Sequence, residues 1–129
     1  MCGRFALFQE IEPLLDDVGA LDLADPHLHA RYNIPPTAPI YVVTEGLERD
    51  SGELTRAVRT ARWGLLPRFA KDLSFSAKTF NARRESLAEK PSFRGSLARY
   101  RALVPMNGYF EWKAGPQGKI PHFIHDRHA

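Results

Sequence analysis

Three prolines within five residues constrain the fold of this chain more than any other feature of its sequence. Pro35, Pro36 and Pro39 lie in the stretch 31–39. Because proline lacks a backbone donor and fixes φ, this stretch excludes a helix interior and a central strand. We expect an ordered extended loop there, leading into a strand over residues 40–44.

Periodicity and turn residues predict the remaining elements, which are mostly strands and short helices. The predicted strands span residues 54–63, 101–106, 109–113 and 120–125. The predicted helical segments span residues 9–18, 81–87 and 93–97. The predicted loops and turns span residues 19–30, 45–52, 65–76 and 115–118. Asn107-Gly108 is a hairpin-type turn signal, so the two strands that flank it are expected to pair.

Composition indicates one globular domain over residues 1–129. With 43% hydrophobic and 26% charged residues, the chain can bury a substantial core. It contains no apolar run of about 18 residues that would span a membrane, and its N-terminus lacks a secretory signal pattern. A single cysteine excludes an internal disulfide, which agrees with a reducing compartment, so we expect a cytoplasmic protein.

Charge is divided unevenly along the chain. Residues 1–53 contain three arginines and ten acidic residues, whereas residues 54–129 contain fifteen basic and five acidic residues. A one-sided basic surface is typical of proteins that bind nucleic acid, although it is also compatible with a solvated basic face. Charge by itself therefore leaves both interpretations open.

The segment after the predicted strand 54–63 interleaves basic and aromatic side chains. These residues are Trp63, Arg68, Phe69, Lys71 and Phe75. Proteins that bind single strands combine cations for the phosphate backbone with rings for the bases. The alternative is a hydrophobic core with surface arginines, in which Trp63 is a core residue.

The only cysteine is residue 2, directly after the initiator methionine. Cysteine is small enough at this position for Met1 to be removed, so we expect a mature chain that begins with Cys2. Its α-amine and thiol would then share one carbon, and both are partly deprotonated near neutral pH. The amine can form a Schiff base with an aldehyde, and the thiol can close on that imine to give a thiazolidine. The alternative is a buried, inert cysteine.

Two polar residues elsewhere in the chain are candidates for chemistry. Glu111 lies among aromatic residues in the segment 108–113, where a partly desolvated carboxylate suits acid–base work. Its alternative role is a solvent-facing glutamate on a strand, paired with Lys113 or an arginine. Asn81 is a candidate to orient a substrate oxygen, or else to cap the helix predicted after it.

Arginines near these candidates are potential phosphate ligands. Arg83 and Arg84 follow Asn81, and guanidinium groups bind phosphate through paired hydrogen bonds. Arg4 lies close enough to Cys2 in sequence to hold a phosphate beside it. Glu85 is expected to form a structural ion pair.

The histidines do not predict a metal site. They are His27, His29, His122, His125 and His128. The one cysteine is distant from them in sequence, and their spacing does not match a zinc-binding pattern. We expect neither a metal nor a cofactor.

Five short motifs occur in order along the chain. They are Met1-Cys2-Gly3-Arg4-Phe5, Arg31-Tyr32-Asn33-Ile34-Pro35-Pro36, Trp63-Gly64-Leu65-Leu66-Pro67, Asn81-Ala82-Arg83-Arg84-Glu85 and Gly108-Tyr109-Phe110-Glu111-Trp112-Lys113. Together they resemble the SRAP (SOS response-associated peptidase) family over essentially the whole chain. The resemblance implies an α+β fold with a β-barrel-like, mostly antiparallel sheet and short flanking helices.

The same resemblance implies a monomeric sensor of abasic sites in single-stranded DNA, nucleoid-associated in a bacterium and not bound to membranes. Cys2 would form a covalent thiazolidine crosslink, with Schiff-base lyase activity and a peptidase activity that releases the protein. Asn81 would position the ring-opened sugar, and Glu111 would shuttle protons. The residues implied to contact DNA are Arg4, Asn33, Pro35, Pro36, Arg68, Phe69, Arg83 and Arg84.

In one respect the chain departs from the pattern of the family it resembles. SRAP proteins continue further and carry a later histidine that assists chemistry at the abasic site. His125 is interpreted instead as a strand-end residue, so that histidine is absent. We therefore interpret residues 1–129 as the N-terminal portion of one SRAP-like domain, with an unpaired sheet edge.

Two alternative functions remain open at this point. The first is a peptidase or amidohydrolase with an N-terminal cysteine nucleophile, in which Asn81 supplies an oxyanion donor. The second is a non-catalytic fragment that binds single-stranded DNA and in which Cys2 is inert.

Overall fold

The fold combines two β-sheets with short helices. The computed structural model describes residues 2–48 and 50–127. The strands are β1 (Arg4–Leu7), β2 (Leu21–Asp22), β3 (Arg31–Ile34), β4 (Pro39–Leu47), β5 (Leu54–Arg62), β6 (Gly108–Gly115) and β7 (Gly118–His125). The helices are α1 (Ile11–Val18), α2 (Arg84–Leu87) and α3 (Pro91–Arg99), with a 3₁₀ helix over Leu73–Lys78.

Antiparallel pairing dominates both sheets. One sheet has the strand order β3-β1-β6-β7, and the other has the order β2-β5-β4. Only the short pairing of β2 with β5 is parallel. The α+β class and the mostly antiparallel pairing are confirmed. The barrel-like expectation is wrong, because the two sheets do not close into a barrel in the part of the chain that the structure describes.

Two long hairpins supply most of the strand residues. In the first, β4 and β5 pair along their whole length, from Pro39 opposite Arg62 to Leu47 opposite Leu54. The predicted returning strand is thereby confirmed, whereas the turn predicted over 45–52 is wrong at its start, since β4 continues to Leu47. In the second, β6 and β7 pair from Gly108 opposite His125 to Gly115 opposite Gly118. This pairing confirms the turn predicted over 115–118 and the last predicted strand.

The core lies where both sheets meet α1. Its buried members are Phe5, Leu7, Ile11, Leu14, Ile34, Ile40, Tyr41, Val43 and Val58. The helix predicted over 9–18 is confirmed, beginning at Ile11, and it buries Ile11 and Leu14 on one face. Trp63 packs against this core as a partly buried residue, in agreement with the core interpretation.

Residues 31–34 form a strand, not the loop expected from the prolines. This strand, β3, is at the edge of its sheet, next to β1 alone among the described strands. Pro35 and Pro36 follow immediately after β3 ends at Ile34. Proline is tolerated there because an edge position does not require a backbone donor on both sides.

The hairpin predicted around Asn107-Gly108 is wrong. Residues 101–106 contribute a single bridge, in which Leu103 pairs with Val43. The Asn107 N–H donates to the Ala6 carbonyl at 2.9 Å, and Gly108 opens β6. A Cβ at Gly108 would lie 2.4 Å from the Phe123 ring, so this glycine permits a close cross-strand approach and does not make a turn.

The helical segments are confirmed in position, with altered bounds. The segment 81–87 becomes α2, and 93–97 becomes part of α3. The N-cap of α2 is Arg83, so the capping role considered for Asn81 is wrong. The stretch predicted as a loop over 65–76 contains the 3₁₀ helix, whose N-cap Asp72 accepts a hydrogen bond from the Ser74 N–H at 2.8 Å.

The outer strand of the larger sheet is β7. Within the described residues it pairs only with β6, and every one of its residues is exposed. No helix formed by the described residues is long and apolar enough to cross a membrane.

Candidate functional site

Cys2 lies two residues before β1, at the point where the chain enters the larger sheet. It is half-buried, and its thiol donates a hydrogen bond to the Arg4 carbonyl at 3.2 Å. Strand β1 is held between β3 and β6, which pair with it on both sides. The position of Cys2 is therefore fixed by an interior strand that begins with Arg4.

Asn81 contacts Cys2 directly, although 79 residues separate them in sequence. The Asn81 side-chain Nδ2 donates to the Cys2 carbonyl at 2.6 Å, and Asn81 is half-buried. A hydrogen bond of this kind orients the backbone of Cys2. The structure thus brings together two residues that the sequence singled out separately.

Trp63 connects the segment of Asn81 to β1. Its ring packs edge-on against Phe5, with 5.1 Å between ring centroids, and against Phe80 at 5.9 Å. Its indole Nε1–H donates to the Phe80 carbonyl at 3.0 Å. Since Phe80 precedes Asn81 in the chain, this contact places the Asn81 amide beside Cys2.

The loop between Trp63 and Phe80 is held by a close backbone approach. Gly64 has φ of 134°, and a Cβ there would lie 2.4 Å from the Ser76 carbonyl oxygen. Ser76 is fully buried and accepts a hydrogen bond from Arg62 Nε at 3.0 Å. The hydroxyl of Thr79 donates to the Leu65 carbonyl. Glycine is required at position 64 because a side chain there would push this part of the loop away from Ser76.

Glu111 lies on β6, close to the end of β1 from which Cys2 extends. The register pairs Arg4 with Phe110, and Glu111 is the next residue along β6. Burial raises the pKa of the Cys2 thiol; hydrogen bonding with the Arg4 backbone partly opposes the rise, and the negative charge of Glu111 adds to it. Glu111 is therefore within electrostatic reach of the thiol.

The raised pKa of Cys2 affects which of its groups reacts first. A thiol with a raised pKa is mostly protonated at neutral pH, and only the thiolate is strongly nucleophilic. The site therefore favours initial attack by a group other than the thiolate, or removal of the thiol proton during the reaction.

Arg4 and Asn33 lie together on neighbouring strands. Arg4 Nη1 donates to Asn33 Oδ1 at 2.9 Å. Pro35 and Pro36, both half-buried, begin the loop that connects β3 to β4. Beyond these prolines the loop is hydrogen-bonded to Trp63. The Thr37 N–H donates to the Trp63 carbonyl at 2.7 Å, and the Trp63 N–H donates to the Ala38 carbonyl at 2.9 Å.

The other predicted DNA-contacting residues are exposed. Arg83 and Arg84 follow Asn81 at the start of α2, with their side chains exposed. Arg68 and Phe69 are exposed in the loop after Trp63, where the Phe69 ring packs edge-on against Phe75 at 5.7 Å. Arg83 and Arg84 are thus close to Asn81 in sequence, and all four side chains are open to solvent.

Sequence reasoning missed His122, which the register of β6 and β7 pairs with Glu111. The turn over 115–118 would have revealed it, because pairing Gly115 with Gly118 fixes every later pair of the hairpin. His125 is the last residue of β7, and its ring stacks on Phe123 at 5.5 Å, as expected for a strand-end residue. Met1, whose removal is predicted, and His128 both lie outside the described residues.

Within residues 2–48 and 50–127, no group of three histidine, cysteine, aspartate or glutamate side chains could hold a metal ion.

The comparison with protein families matches this arrangement to a known group. A family described as "SOS response associated peptidase (SRAP)" matches residues 1–129. This chain belongs to the SRAP family. The assignment accounts for the order of the five motifs, three of which meet at Cys2, Asn81 and Glu111.

Related SRAP proteins come from distant organisms. Abasic site processing protein YoqW of Bacillus subtilis is 38% identical over 124 residues, covering 94% of this chain and 52% of YoqW. Abasic site processing protein HMCES of Gallus gallus is 30% identical over 100 residues, covering 73% of this chain and 30% of HMCES. The chain spans about half the length of the curated bacterial relatives it matches.

A solved structure shows the same fold. The crystal structure of a Bacteroides thetaiotaomicron protein superimposes with a TM-score of 0.78 at 24% identity. The match covers 98% of this chain and 55% of that protein. At this level of identity the likeness describes the arrangement of the sheets and does not extend to function.

Proposed function

We propose that this SRAP chain captures abasic sites in single-stranded DNA by forming a covalent bond through Cys2. The observation that carries the proposal is the 2.6 Å hydrogen bond from Asn81 to the Cys2 carbonyl, which orders the residue expected at the mature N-terminus. The names of its relatives, abasic site processing proteins, indicate DNA with abasic sites as the substrate class.

The proposed chemistry uses both functional groups of Cys2 after Met1 is removed. The α-amine attacks the aldehyde carbon of the ring-opened sugar, and loss of one water gives an imine. The thiol sulfur then bonds to the imine carbon, and its proton passes to the nitrogen, which closes a thiazolidine ring. No electron donor or acceptor is needed, and no bond of the DNA backbone breaks on this route.

Asn81 is proposed to hold Cys2 in the orientation that this sequence of steps requires. Its hydrogen bond to the carbonyl fixes the backbone of Cys2, so the α-amine and the thiol approach one carbon from a defined direction. Ordering of reacting groups in this way lowers the entropic part of the barrier.

Glu111 is proposed to move the protons of this reaction. Its negative charge reaches the Cys2 thiol, whose pKa is raised, so thiolate attack at neutral pH needs a base nearby. A carboxylate can accept the thiol proton as sulfur attacks, and as an acid it can assist the departure of water from the amine adduct.

Positive charge near Cys2 supports a DNA strand as the substrate. Arg4 lies beside Cys2 on β1, and the exposed Arg83 and Arg84 follow Asn81. Arginine binds phosphate oxygens through paired hydrogen bonds. These three residues are proposed to hold phosphates on either side of the abasic nucleotide.

The test mixes the chain with single-stranded DNA that carries one abasic site, followed by a denaturing gel. Removal of Met1 is first verified by intact mass. We expect a heat-stable shifted band that is absent with Cys2→Ala and with a chain extended by one residue before Cys2. A mature chain that binds this DNA and forms no such band would contradict the proposal.

The same samples separate covalent capture from amide hydrolysis. An aldehyde substrate consumes one Cys2 per product and stops, whereas a peptidase turns over an amide repeatedly. Catalytic turnover of a peptide, without capture of the abasic DNA, would favour the N-terminal-nucleophile hydrolase instead.

A further inference from the structure

An irregularity in the pairing of β1 with β3 brings two consecutive side chains of β3 opposite one residue of β1. Phe5 lies opposite Ile34 and Leu7 lies opposite Arg31, so two residues of β3, Tyr32 and Asn33, together oppose Ala6 of β1. A bulge of this kind re-aims side chains relative to the regular alternation of a strand. Two neighbours on β3 can therefore contact the same face of the sheet.

Both residues of the bulge contact side chains of β1 or its immediate continuation. Asn33 accepts its hydrogen bond from Arg4, and the Tyr32 ring stacks on Phe8, with 5.2 Å between centroids and 17° between ring planes. Arg4 is the first residue of β1 and Phe8 directly follows its last residue, so the two contacts lie at opposite ends of this strand. We name the stacked rings of Phe8 and Tyr32 the aromatic platform.

The platform is exposed and at the same time rigidly supported. Phe8 is 40% exposed and Tyr32 is 67% exposed, so the rings retain a large open surface. The Phe8 N–H donates to Asn107 Oδ1 at 2.8 Å, while the Asn107 N–H donates to the Ala6 carbonyl at 2.9 Å. An exposed ring held in place loses little conformational entropy when a ligand stacks on it.

We propose that the aromatic platform stacks an intact base of single-stranded DNA, away from the abasic nucleotide. The inference rests on the proposed function, since it takes the DNA strand held at Cys2 as its ligand. Exposed rings beside cations are the combination that binds single strands, and Arg4 supplies a guanidinium next to the platform through its hydrogen bond to Asn33, the neighbour of Tyr32. The whole of β1 separates Phe8 from Cys2, and its four residues span about 13 Å at roughly 3.3 Å per residue, so the platform lies beyond the sugar that reacts with Cys2.

The test measures the affinity for single-stranded DNA, with and without an abasic site, for Tyr32→Ser, Tyr32→Leu and Tyr32→Phe. Tyr32→Leu keeps apolar cover over Phe8 and removes the aromatic face, whereas Tyr32→Phe keeps both. We expect Tyr32→Ser and Tyr32→Leu to bind about five- to a hundredfold more weakly, and Tyr32→Phe to bind like the original chain. Tyr100→Ser is the matched control, because Tyr100 is 72% exposed elsewhere on the surface.

Two further readouts distinguish stacking from a structural effect. The dependence of affinity on salt should stay the same in the Tyr32 variants, because stacking releases no counterions. At saturating protein, the final extent of the Cys2-dependent crosslink should also stay the same. Fluorescence of 2-aminopurine placed in the strand should be quenched by the original chain and by Tyr32→Phe, and not by Tyr32→Leu.

The outcomes separate this inference from the proposed function. A Cys2-dependent crosslink together with unchanged affinity in Tyr32→Leu would overturn the platform and leave the proposed function intact. Tyr32-dependent binding without any crosslink would support the platform and overturn covalent capture. An original chain that does not bind single-stranded DNA would overturn both.

Discussion

The two long hairpins of this chain have similar backbone pairing and very different surroundings. The β4–β5 hairpin contributes Ile40, Tyr41, Val43 and Val58 to the core, and Val58 is fully buried. The β6–β7 hairpin carries Glu111 on one strand, and all residues of the other strand are exposed. Backbone hydrogen bonds alone therefore do not explain where the stability of the fold comes from. Burial does, and it is concentrated in the first hairpin.

The contrast also separates stability from chemistry. The candidate site lies where β1 meets β6, and its residues are half-buried: Cys2, Asn81 and Glu111. The core beneath it comes mainly from β4, β5 and α1 together with the inward face of β1. Substitutions in the first hairpin should thus change the free energy of unfolding, and those in the second should change reactivity.

The largest expected effect on stability is that of Tyr41→Ala in the first hairpin. Tyr41 is 2% exposed, and its hydroxyl accepts a hydrogen bond from the Leu28 N–H at 2.6 Å. Removing a buried aromatic side chain costs about 3–5 kcal/mol, and here it also leaves the Leu28 amide without that acceptor. The measurement is the free energy of unfolding in urea.

Phe123→Ala is the matched truncation in the second hairpin. Phe123 is 39% exposed and packs against Phe110, so its loss should cost about 1 kcal/mol. If both truncations lowered the free energy of unfolding equally, the two hairpins would contribute equally to stability, and burial would not explain the difference between them.

The next effect concerns Glu111, and it should move two rates in opposite directions. Burial is the main cause of the raised pKa of the Cys2 thiol, and the charge of Glu111 adds to it; in Glu111→Gln that added contribution is gone, so the pKa falls and more thiolate is present at a given pH. Alkylation of Cys2 by iodoacetamide should therefore become faster and reach half its maximum at lower pH. Crosslinking to abasic DNA should become about a hundred- to ten-thousand-fold slower, because the proton-transfer group is lost.

Glu45→Gln is the control for this prediction. Glu45 lies on the first hairpin and pairs with Arg56 at 2.5 Å, away from Cys2. Both rates should stay as they are in the original chain. A Glu111→Gln chain that crosslinks at the original rate would remove Glu111 from the proposed mechanism.

A smaller effect is expected at the junction after the first hairpin. Gly64→Ala introduces a Cβ 2.4 Å from the Ser76 carbonyl at a φ of 134°, which should destabilise the chain by about 1–3 kcal/mol. Because the displaced loop carries Asn81, crosslinking should also slow. Thermal denaturation and gel-based rates measure the two effects.

Gly46→Ala provides the comparison within β4. A Cβ there meets no atom within 4 Å, so the substitution should be neutral or slightly stabilising. If Gly64→Ala were equally neutral, the close approach of this loop would not be what positions Asn81.

The smallest effect is expected for Ile120→Thr on β7. Ile120 is 50% exposed, and substitutions at such surface positions change stability by about 0.5 kcal/mol or less. Urea denaturation should show no resolvable change. A loss comparable to that of Tyr41→Ala would mean that β7 is covered in solution.

Much of the secondary structure could be predicted from the sequence, because it depends on neighbours along the chain. The helix α1, the strand β5 and the turn between β6 and β7 follow from periodicity and from glycine and proline. The strand expected over 101–106 was wrong because its apolar, β-prone composition is met by only one bridge to β4. Strand propensity reflects packing against neighbouring strands, which composition does not specify.

The candidate site was predicted as separate residues and not as an arrangement. Cys2, Asn81 and Glu111 each carry a chemical signal in their own motif. The proximity of Cys2 and Asn81 depends on Trp63, which packs on Phe5 and Phe80, and that of Glu111 depends on the pairing of β1 with β6. Trp63 had itself been assigned to both DNA binding and the core, and only its contacts decide between them.

By itself, the sequence determined the order of the motifs, the helix α1, the turn between β6 and β7 and the candidate nucleophile, because these follow from local residue chemistry. The tertiary structure decided that Asn81 bonds to Cys2, that Glu111 comes within electrostatic reach of the same thiol, and that Tyr32 stacks on Phe8 beside a bulge. Each of these contacts joins residues from strands or loops that are not consecutive. Pairing between such segments depends on register and on shared burial, which no single stretch of sequence encodes.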